Sequence, residues 1–445
     1  MNENEKRIYL LEKVNVKKAL LKLGIPTMIG MLVSALYNIV DAFFIGRLGT
    51  LQTAAVSVVY PLTMVASGIG LLFGCGAGSY ISRLLGRKKY EEIADCSSTA
   101  LFSGIFISIA VVGGMMLFFE PLIYTLGATK SSITYAKEYG MIYLFGLIFN
   151  VFNMMMNNML VAEGNSGFGM TAMLVGGCIN LVLDPVLIFS CNMGVAGAAA
   201  ATLFSQIVSS ALYVCFLVRG KSYLKISLGR FKPNKVVYTE VLKIGFPICM
   251  FQFLTGGVVG LTNIAAKPFG EAAIAGMGIV NRIMSLESNA LYGFLKGYSP
   301  IVGYNHGSGN SSRVREATKT AICWSTAVNI LFGILCIIFS RQLIYLFNQE
   351  SVNVLEVGKQ ALTVDGISFM TLGVQIVIGN YFLATGKAKQ GGALSICRQG
   401  LFFIPFLFLF TNIWGLTGLI LAQLAADLCA TFVTVVLWRK EKGIR

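Results

Sequence analysis

The chain has 445 residues, of which 56% are hydrophobic and only 12% are charged, and its mean hydropathy is +0.73. This composition leaves too few polar side chains to cover a soluble globule of this length, which excludes the ordinary soluble folds. The formal net charge is +15, but the cations stand between apolar runs and do not form one face with aromatic residues, which argues against nucleic-acid binding.

Twelve long apolar segments follow one another along the chain, separated by short polar loops. A helix of about 20 apolar residues spans the hydrocarbon core of a bilayer, and only helices or closed barrels satisfy the backbone amides there. Barrel strands would alternate apolar and polar residues, which these segments do not. We therefore predict an all-α polytopic membrane protein with helices near residues 18–44, 53–80, 97–119, 133–160, 168–190, 195–218, 239–265, 272–300, 317–339, 356–384, 392–411 and 415–438.

Lysines and arginines are concentrated in alternate loops. They stand around the start of the first predicted helix and the ends of the second, sixth, eighth, tenth and twelfth: Lys6, Arg7, Lys13, Lys17, Lys18, Arg83, Arg87, Lys88, Lys89, Arg219, Lys221, Lys225, Arg230, Lys232, Lys235, Arg313, Arg315, Lys319, Lys387, Lys389, Arg439, Lys440, Lys442 and Arg445. The other loops carry single cations such as Arg47 and Lys130. Because short cytoplasmic loops hold the excess of Lys and Arg in membrane proteins, we predict that both termini are cytoplasmic.

The first half of the chain is repeated in the second. The run KLGIP that ends at Pro26 recurs as KIGFP ending at Pro247, about 221 positions later. Nearly the same offset relates Pro185 to Pro405, Asn192 to Asn412, and Gly197 to Gly418. We predict an N-terminal six-helix unit over residues 1–220, a cytoplasmic linker over 221–238 and a C-terminal six-helix unit over 239–445.

Two tandem units of six spans must share one orientation in the membrane. Six spans return the chain to the side on which it began, so the units would be related by an axis along the membrane normal, with a cavity between them. Transporters of this plan rock their two units about a central site, which makes alternating access the expected mechanism. Duplication alone does not exclude a channel.

The sequence contains few combinations of residues that could support catalysis. The ten cysteines lie mostly inside apolar runs without metal-ligand spacing, and we interpret them as small hydrophobic residues. A single histidine, His306, leaves no His-based metal site and no Ser-His-Asp triad. No phosphate-binding G-x-x-x-x-G-K-[ST] run occurs, and the glycines between Gly74 and Gly78 are better explained by close helix packing. We predict that the protein is not an enzyme.

Two carboxylates stand out inside the predicted helices. Asp41 lies toward the outer end of the first helix, and Asp184 lies in the outer half of the fifth, four residues after Asn180 on the same face. Pro185 cannot donate its amide and so frees carbonyl oxygens beside Asp184. Because charges in a bilayer are costly, such residues are functional candidates. Their oxygens suit a proton or a small hard cation such as Na+.

The acidic pair belongs to the N-terminal half alone. At the repeat offset, Thr262 stands where Asp41 would be repeated and Ile404 where Asp184 would be. This asymmetry indicates a specialised site and not a folding device present in both units. The alternative is that Asp41 is hydrated near the outer interface and that Asp184 only caps a helix broken at Pro185.

Asparagines are interspersed among methionines in the fourth predicted helix. Methionine is flexible and polarisable, so we predict that Asn153, Met154 and Asn157, with Met173 of the fifth helix, line a substrate cavity that adapts to varied apolar ligands. Core packing explains the methionines equally well, and the asparagines less well. Further charged residues within the C-terminal half have no assigned role from the sequence: Arg282, Glu287, Lys296, Asp365, Arg398 and Asp427.

Four segments in combination resemble the multidrug and toxic compound extrusion (MATE) transporters, in particular their bacterial MepA-like branch. They are GAGSYISRLLG at 76–86, LDPVLIF at 183–189, PNK at 233–235 and PIVGYN at 300–305. The likeness covers nearly the whole chain. It implies two six-helix lobes around a V-shaped cavity in a bacterial cytoplasmic membrane. It also implies export of cationic amphipathic compounds in exchange for Na+ or H+.

The resemblance also implies a site. Family members with a cation site in the N-terminal lobe use an acid in the first helix, an Asn-x-x-x-Asp pair in the fifth and a threonine in the sixth, which Asp41, Asn180, Asp184 and Thr202 match here. These four residues would bind the coupling ion, Na+ or H+, with no other cofactor. Organic cations and membrane lipid are the expected partners, nucleic acid is not, and the chain is expected to act as a monomer. In other branches an acid of the C-terminal lobe carries coupling, and none matches at Arg398 and its neighbour.

Three other classes compete with this interpretation. A major facilitator carrier would have an acidic residue where Ser82 stands and one residue fewer before Gly86. A lipid-linked oligosaccharide flippase of the same wider superfamily would need a strongly cationic cavity for pyrophosphate, whereas the clearest buried charges here are acidic. A channel would give single-channel current in place of saturable counterflow.

Overall fold

The computed structural model describes residues 3–220, 222–347 and 351–443, so two of the predicted basic-loop cations, Lys221 and Arg445, lie outside it. Within those ranges every regular element is helical and no strand occurs. The α-helices in chain order are α1 (Glu3–Glu12), α2 (Val16–Gly46), α3 (Thr50–Gly86), α4 (Tyr90–Leu117), α5 (Phe119–Thr125), α6 (Ile133–Ala162), α7 (Ser166–Pro185), α8 (Gly194–Val218), α9 (Lys235–Ala266), α10 (Glu271–Gly307), α11 (Ser311–Ile338), α12 (Ser340–Phe347), α13 (Val352–Ala384), α14 (Ala388–Ile396) and α15 (Ile404–Gly443). π-Helical turns at Val186–Ser190 and Cys397–Phe403 continue α7 and α14.

All twelve predicted spans fall on observed helices. In the described part of the chain, ten helical stretches are long and apolar enough to cross a membrane. The ten leave out α10, whose charged and polar residues lower its hydropathy, and they count α14 and α15 as one stretch. That stretch bends at Gly415, where φ is 59° and ψ is −133°, and so forms the eleventh and twelfth predicted helices. The prediction of an all-α polytopic membrane protein is confirmed.

Some boundaries differ from the predicted ones. Helix α9 begins at Lys235, inside the predicted linker, because the Asn234 side chain caps it by accepting from the amide of Val236 at 2.9 Å. Helix α10 passes through Pro300 and ends at Gly307, beyond the predicted end at residue 300. The short helices α1, α5 and α12 were not predicted. Helices α5 and α12 occupy equivalent places in the two halves, so the repeat carried a signal for them.

Glycines bring the two halves together along a seam formed by α2 and α3 with α9 and α10. Gly24 of α2 faces Gly297 of α10, and a Cβ on Gly297 would collide with the α2 backbone. The same offset leads from Gly24 to Gly245 and from Gly76 to Gly297. A Cβ on Gly245 would collide with the carbonyl of Leu72, and one on Gly76 with a carbonyl of α9. The repeat therefore builds the seam twice, once on each side of a pseudo-twofold axis.

The seam is closed at one end of the bundle. We call this end, which carries the loops at 87–89, 163–165, 219–234, 308–310 and 385–387, the basic end. There Arg83 of α3 pairs with Glu240 of α9 at 2.9 Å, and Ser79 donates to the carbonyl of Leu383 at 2.7 Å. Among the described residues, no glycine contact between the halves lies farther from the basic end than that of Gly256 with Met64. The close packing of the halves at glycines thus begins at the basic end and continues along α3 and α9 as far as this contact.

Helix α1 lies across the basic end and bonds to both halves. Arg7 donates to Oε1 of Glu163 at 2.8 Å, and Ser222 of the linker donates to the other oxygen at 2.8 Å. From the C-terminal half, Asn305 of α10 donates to the carbonyl of Leu11 at 3.0 Å. Glu163 follows the last residue of α6 and is completely buried. A ten-residue helix therefore contacts the N-terminal half and the linker at the buried carboxylate of Glu163, and the C-terminal half through the carbonyl of Leu11.

The buried carboxylate of Glu163 should make stability depend on pH. Burial raises its pKa from 4.5 to about 7, although Arg7 and Ser222 oppose the shift. Since the folded pKa exceeds the unfolded one, this group's contribution to stability is full below pH 4.5 and is lost as pH rises through 7. Relative to Glu163→Gln, the wild type should lose roughly 3 kcal/mol between about pH 4.5 and 8, at about 1.36 kcal/mol per pKa unit.

Thermal unfolding of the detergent-solubilised wild type and the Glu163→Gln variant across that pH range measures this difference. Glu316→Gln, which removes an exposed acid at the same end, serves as the control and should show a constant offset. A constant offset between wild type and Glu163→Gln would contradict the assignment.

Candidate functional site

The structure brings the four predicted coupling residues together in the N-terminal half. Asp41 on α2 and Asp184 on α7 are neighbours, and their carboxyl groups act on each other electrostatically. Asn180 places its amide nitrogen 3.3 Å from Asp184 Oδ1 and 3.4 Å from Oγ1 of Thr202 on α8. Asp184 is fully buried, and the chain continues past Pro185 as a π-helical turn. Asp184 therefore lies within a continuous helical stretch, whereas Asp41 is only partly buried.

Several oxygens of this cluster have no donor. Asp41 Oδ1, Asp184 Oδ2 and Asn180 Oδ1 are buried and accept no hydrogen bond. No lysine or arginine of the described residues pairs with either carboxylate. Buried acceptors without a donor are costly, and they suit a proton or a small cation that prefers oxygen ligands. No group of three His, Cys, Asp or Glu side chains in the described ranges could hold a metal ion, so a cation here would also need the amide and hydroxyl oxygens.

Two tyrosines that the sequence analysis did not single out lie near the pair. Tyr37 precedes Asp41 by one turn of α2, and both acids act electrostatically on it. Tyr139 of α6 is 4% exposed, lies within range of the same two carboxylates and stacks on Tyr143 with 5.0 Å between ring centroids. The spacing of Tyr37 from Asp41 was a usable signal. The position of Tyr139 depends on tertiary packing.

The predicted substrate-cavity residues do not form one wall. Asn153 faces α8, where it donates to Gln206 Oε1 at 2.7 Å and accepts from Ser210 at 2.8 Å. Met154 instead packs against Gly70 of α3, and Met173 of α7 packs against Gly30 of α2. Three neighbouring methionines of α6 are fully buried, which supports core packing for them: Met155, Met156 and Met159.

Asn157 is the most enclosed of the predicted cavity residues. It is 5% exposed, and its amide nitrogen donates to the Tyr213 hydroxyl of α8 at 3.0 Å. Together with Asn153 it continues a polar row that α8 carries away from the acidic pair: Thr202, Gln206, Ser210 and Tyr213.

The acids of the C-terminal half surround an arginine. Arg398 donates from Nε to Oδ1 of Asp427 on α15 at 2.6 Å, a partner that the sequence did not reveal. Asp365 and Glu287 are buried beside this pair and act on it electrostatically. Arg282 lies on the exposed face of α10, so it does not pair with Glu287. The C-terminal acids thus have a neighbouring cation, which the acidic pair of the N-terminal half lacks.

The sequence and the fold of this chain are similar to those of known proteins. A model of the MatE family matches the chain twice, at residues 26–186 and 247–409, with the spacing of the internal repeat. The multidrug export protein MepA of Staphylococcus saprophyticus is 30% identical over 445 residues, covering 98% of this chain and 96% of the relative. A crystal structure of MATE in complex with MaL6 is 26% identical, with a TM-score of 0.93 over 98% of both chains.

A second solved structure is similar to this chain over nearly its whole length. It is described as the outward-facing conformation of a multidrug resistance MATE family transporter of the MOP superfamily. It is 26% identical to this chain, with a TM-score of 0.91 and coverage of 98% of both chains.

Proposed function

The chain belongs to the MatE family of multi-pass membrane transporters, and from that premise we propose that it exports cationic amphipathic compounds in exchange for Na+ or H+. The observation that carries the proposal is the acidic pair Asp41 and Asp184, which pairs with no cation among the described residues and has one buried, unsatisfied oxygen on each carboxylate. A transporter of organic cations needs a negative site that a small ion and its substrate occupy by turns. No enzymatic step or further cofactor enters this exchange.

The basic end is proposed to face the cytoplasm of a bacterium, with both termini on that side. The positive-inside rule supports this orientation, because the clustered lysines and arginines lie in the loops of that end. The closed seam then leaves the cavity open to the outside. The N-terminal and C-terminal halves act as two lobes that rock about the seam, as in transporters built from parallel repeats.

Coupling follows from competition for the same charge. An ion bound at Asp41 and Asp184 removes the negative charge that attracts an organic cation, and loss of the ion restores it. Each ligand therefore lowers the affinity of the other. One-for-one exchange of monovalent cations moves no net charge, so a potential worth about 2.3 kcal/mol per charge per 100 mV contributes nothing. The ion gradient alone then drives export by a monomer within the lipid bilayer.

Proteoliposomes with the purified protein and a fluorescent organic cation test this function. A Na+ gradient at fixed pH, or a pH gradient without Na+, is imposed while valinomycin and potassium clamp the membrane potential. We expect saturable dye movement against its own gradient under one of the two ion gradients, and none in protein-free liposomes. Dye movement under neither gradient would contradict the proposal, as would a single-channel current.

A further inference from the structure

One lysine crosses the seam between the halves. Lys296 lies on α10 between Gly293 and Gly297, both of which pack directly on the α2 backbone. This close approach brings the lysine side chain into the N-terminal half, where its ammonium donates to Oδ1 of Asn157 on α6. The two residues are 139 positions apart in the chain.

The ammonium of Lys296 has no acidic partner in the described part of the chain. The thiol of Cys75 acts on it electrostatically, and the amide oxygen of Asn157 is its hydrogen-bond acceptor. A partly buried cation held only by neutral groups is costly within a membrane-spanning helix. Intramembrane charges of this kind are retained for function more often than for stability.

The contact exists on one side of a symmetric seam. Lys296 stands at the same offset from Cys75 that separates Pro26 from Pro247. The repeat also matches Asn158 to Asn380, which places Gly379 where Asn157 would recur. A Cβ on Gly379 would meet no atom within 4 Å. Packing of the seam therefore does not require a lysine and an asparagine, since its other side is built without them.

Asn157 also lies at the end of the polar row that starts at the acidic pair. Thr202 contacts Asn180 at one end of the row, and Tyr213 contacts Asn157 at the other. The two positions on α8 are about 16 Å apart at 1.5 Å per residue. The N-terminal half thus has two places that receive cations: the acidic pair and the carbonyl oxygen of Asn157, to which a cation of this chain is already bound.

We propose that Asn157 Oδ1 is the subsite for the protonated amine of an exported compound, and that Lys296 occupies it as a tethered cation whenever the basic end is closed. This inference rests on the proposed function and deepens it. When the basic end opens, α10 withdraws Lys296 and the amide oxygen accepts an N–H group of the substrate. When it closes, Lys296 returns and displaces the substrate toward the open side of the cavity.

The geometry also selects the class of substrate. Lys296 reaches Asn157 through an N–H donor, so a substrate that replaces it must offer an N–H donor as well. A protonated tertiary amine satisfies this requirement, whereas its quaternary N-methyl analogue carries the same charge without the donor. Lys296 should therefore compete with protonated tertiary amines for Asn157 Oδ1, and it should not compete with quaternary ammonium compounds.

Dye binding to the purified protein in detergent, without an ion gradient, tests the inference. The probes are a fluorescent protonated tertiary amine and its quaternary N-methyl analogue. The tethered cation lowers the apparent affinity by the fraction of time that the subsite is free, so Lys296→Met should tighten binding of the amine about tenfold. Binding of the quaternary analogue should stay the same. Lys296→Arg, which keeps a donating cation, should behave like the wild type.

Two further variants make the outcome decisive. Lys296→Gln provides a second neutral side chain, with folding of each variant checked by thermal unfolding. Asn157→Ala added to Lys296→Met should cancel the gain in affinity, because it removes the acceptor. Unchanged amine affinity in both neutral variants would overturn the inference, and so would equal gains for both probes. Failure of the wild type to bind or exchange either probe would instead count against the proposed function itself.

Discussion

Replacing Asp41 or Asp184 by asparagine is expected to abolish concentrative export while leaving the protein folded. Asparagine keeps the size of each side chain but removes the charge for which the ion and the organic cation compete. The accumulation ratio of a cationic dye in proteoliposomes should fall to about 1, since no ion gradient can then be converted into a dye gradient. Dye binding to the variants should lose its dependence on Na+ or pH.

A matched control separates the site from charge in general. Glu271 is an exposed acid at the start of α10, at the end of the bundle opposite the basic end, and it belongs to no buried cluster. Glu271→Gln removes one negative charge there and should transport at the wild-type rate. Gradient-driven accumulation at the wild-type rate in both aspartate variants would refute the assignment of the pair.

The substitution Gly245→Ala should cost at least an order of magnitude in export rate. Its Cβ would collide with the backbone carbonyl of Leu72, which cannot rotate away as a side chain could. The seam then cannot close at the basic end, and the equilibrium shifts toward the state that is open there. In an exposed helix interior the same change would instead be favourable by about 1 kcal/mol.

Gly257 on the same helix is the control for this prediction. A Cβ at Gly257 would meet no atom within 4 Å, so Gly257→Ala should leave export unchanged. The conformational shift can be read from Cys75, which lies one residue from the seam glycine Gly76. Labelling of Cys75 by a membrane-impermeant maleimide from the basic end should increase in Gly245→Ala. Equal export and equal labelling in the two variants would show that the glycine contact is dispensable.

The sequence was most informative about features that repeat or persist over many residues. Long apolar runs predicted all twelve spans, because a bilayer sets their length and excludes polar side chains. The internal repeat anticipated the two matches of the family model. The short helices α5 and α12 escaped notice because they are far shorter than a membrane span, so hydropathy over a spanning window does not resolve them.

For the candidate site, the sequence was better at identifying the functional residues than at identifying the side chains with which they pair. The spacing of Asn180 and Asp184 placed both on one face of α7, and the structure brings Asp41 and Thr202 to them. The pairing of Arg398 with Asp427 lay beyond the sequence, because it depends on how α15 is rotated against the π-helical turn after α14.

The contacts across the seam could not be predicted from the helical spacing of residues either. The contact of Lys296 with Asn157 requires two glycines of α10 to bring it onto α2 first. The periodicity of a sequence predicts the face of a helix on which a residue lies, but its contacts depend on how the helices pack.

The hydrogen bonds of α1 to Glu163 and Asn305 allow the rate of export to change independently of the range of compounds that are exported. The free energy needed to separate the halves at the basic end depends in part on this ten-residue helix, which lies at the end of the bundle opposite the acidic pair. Substitutions in α1 would therefore change the export rate while the range of exported compounds stays the same.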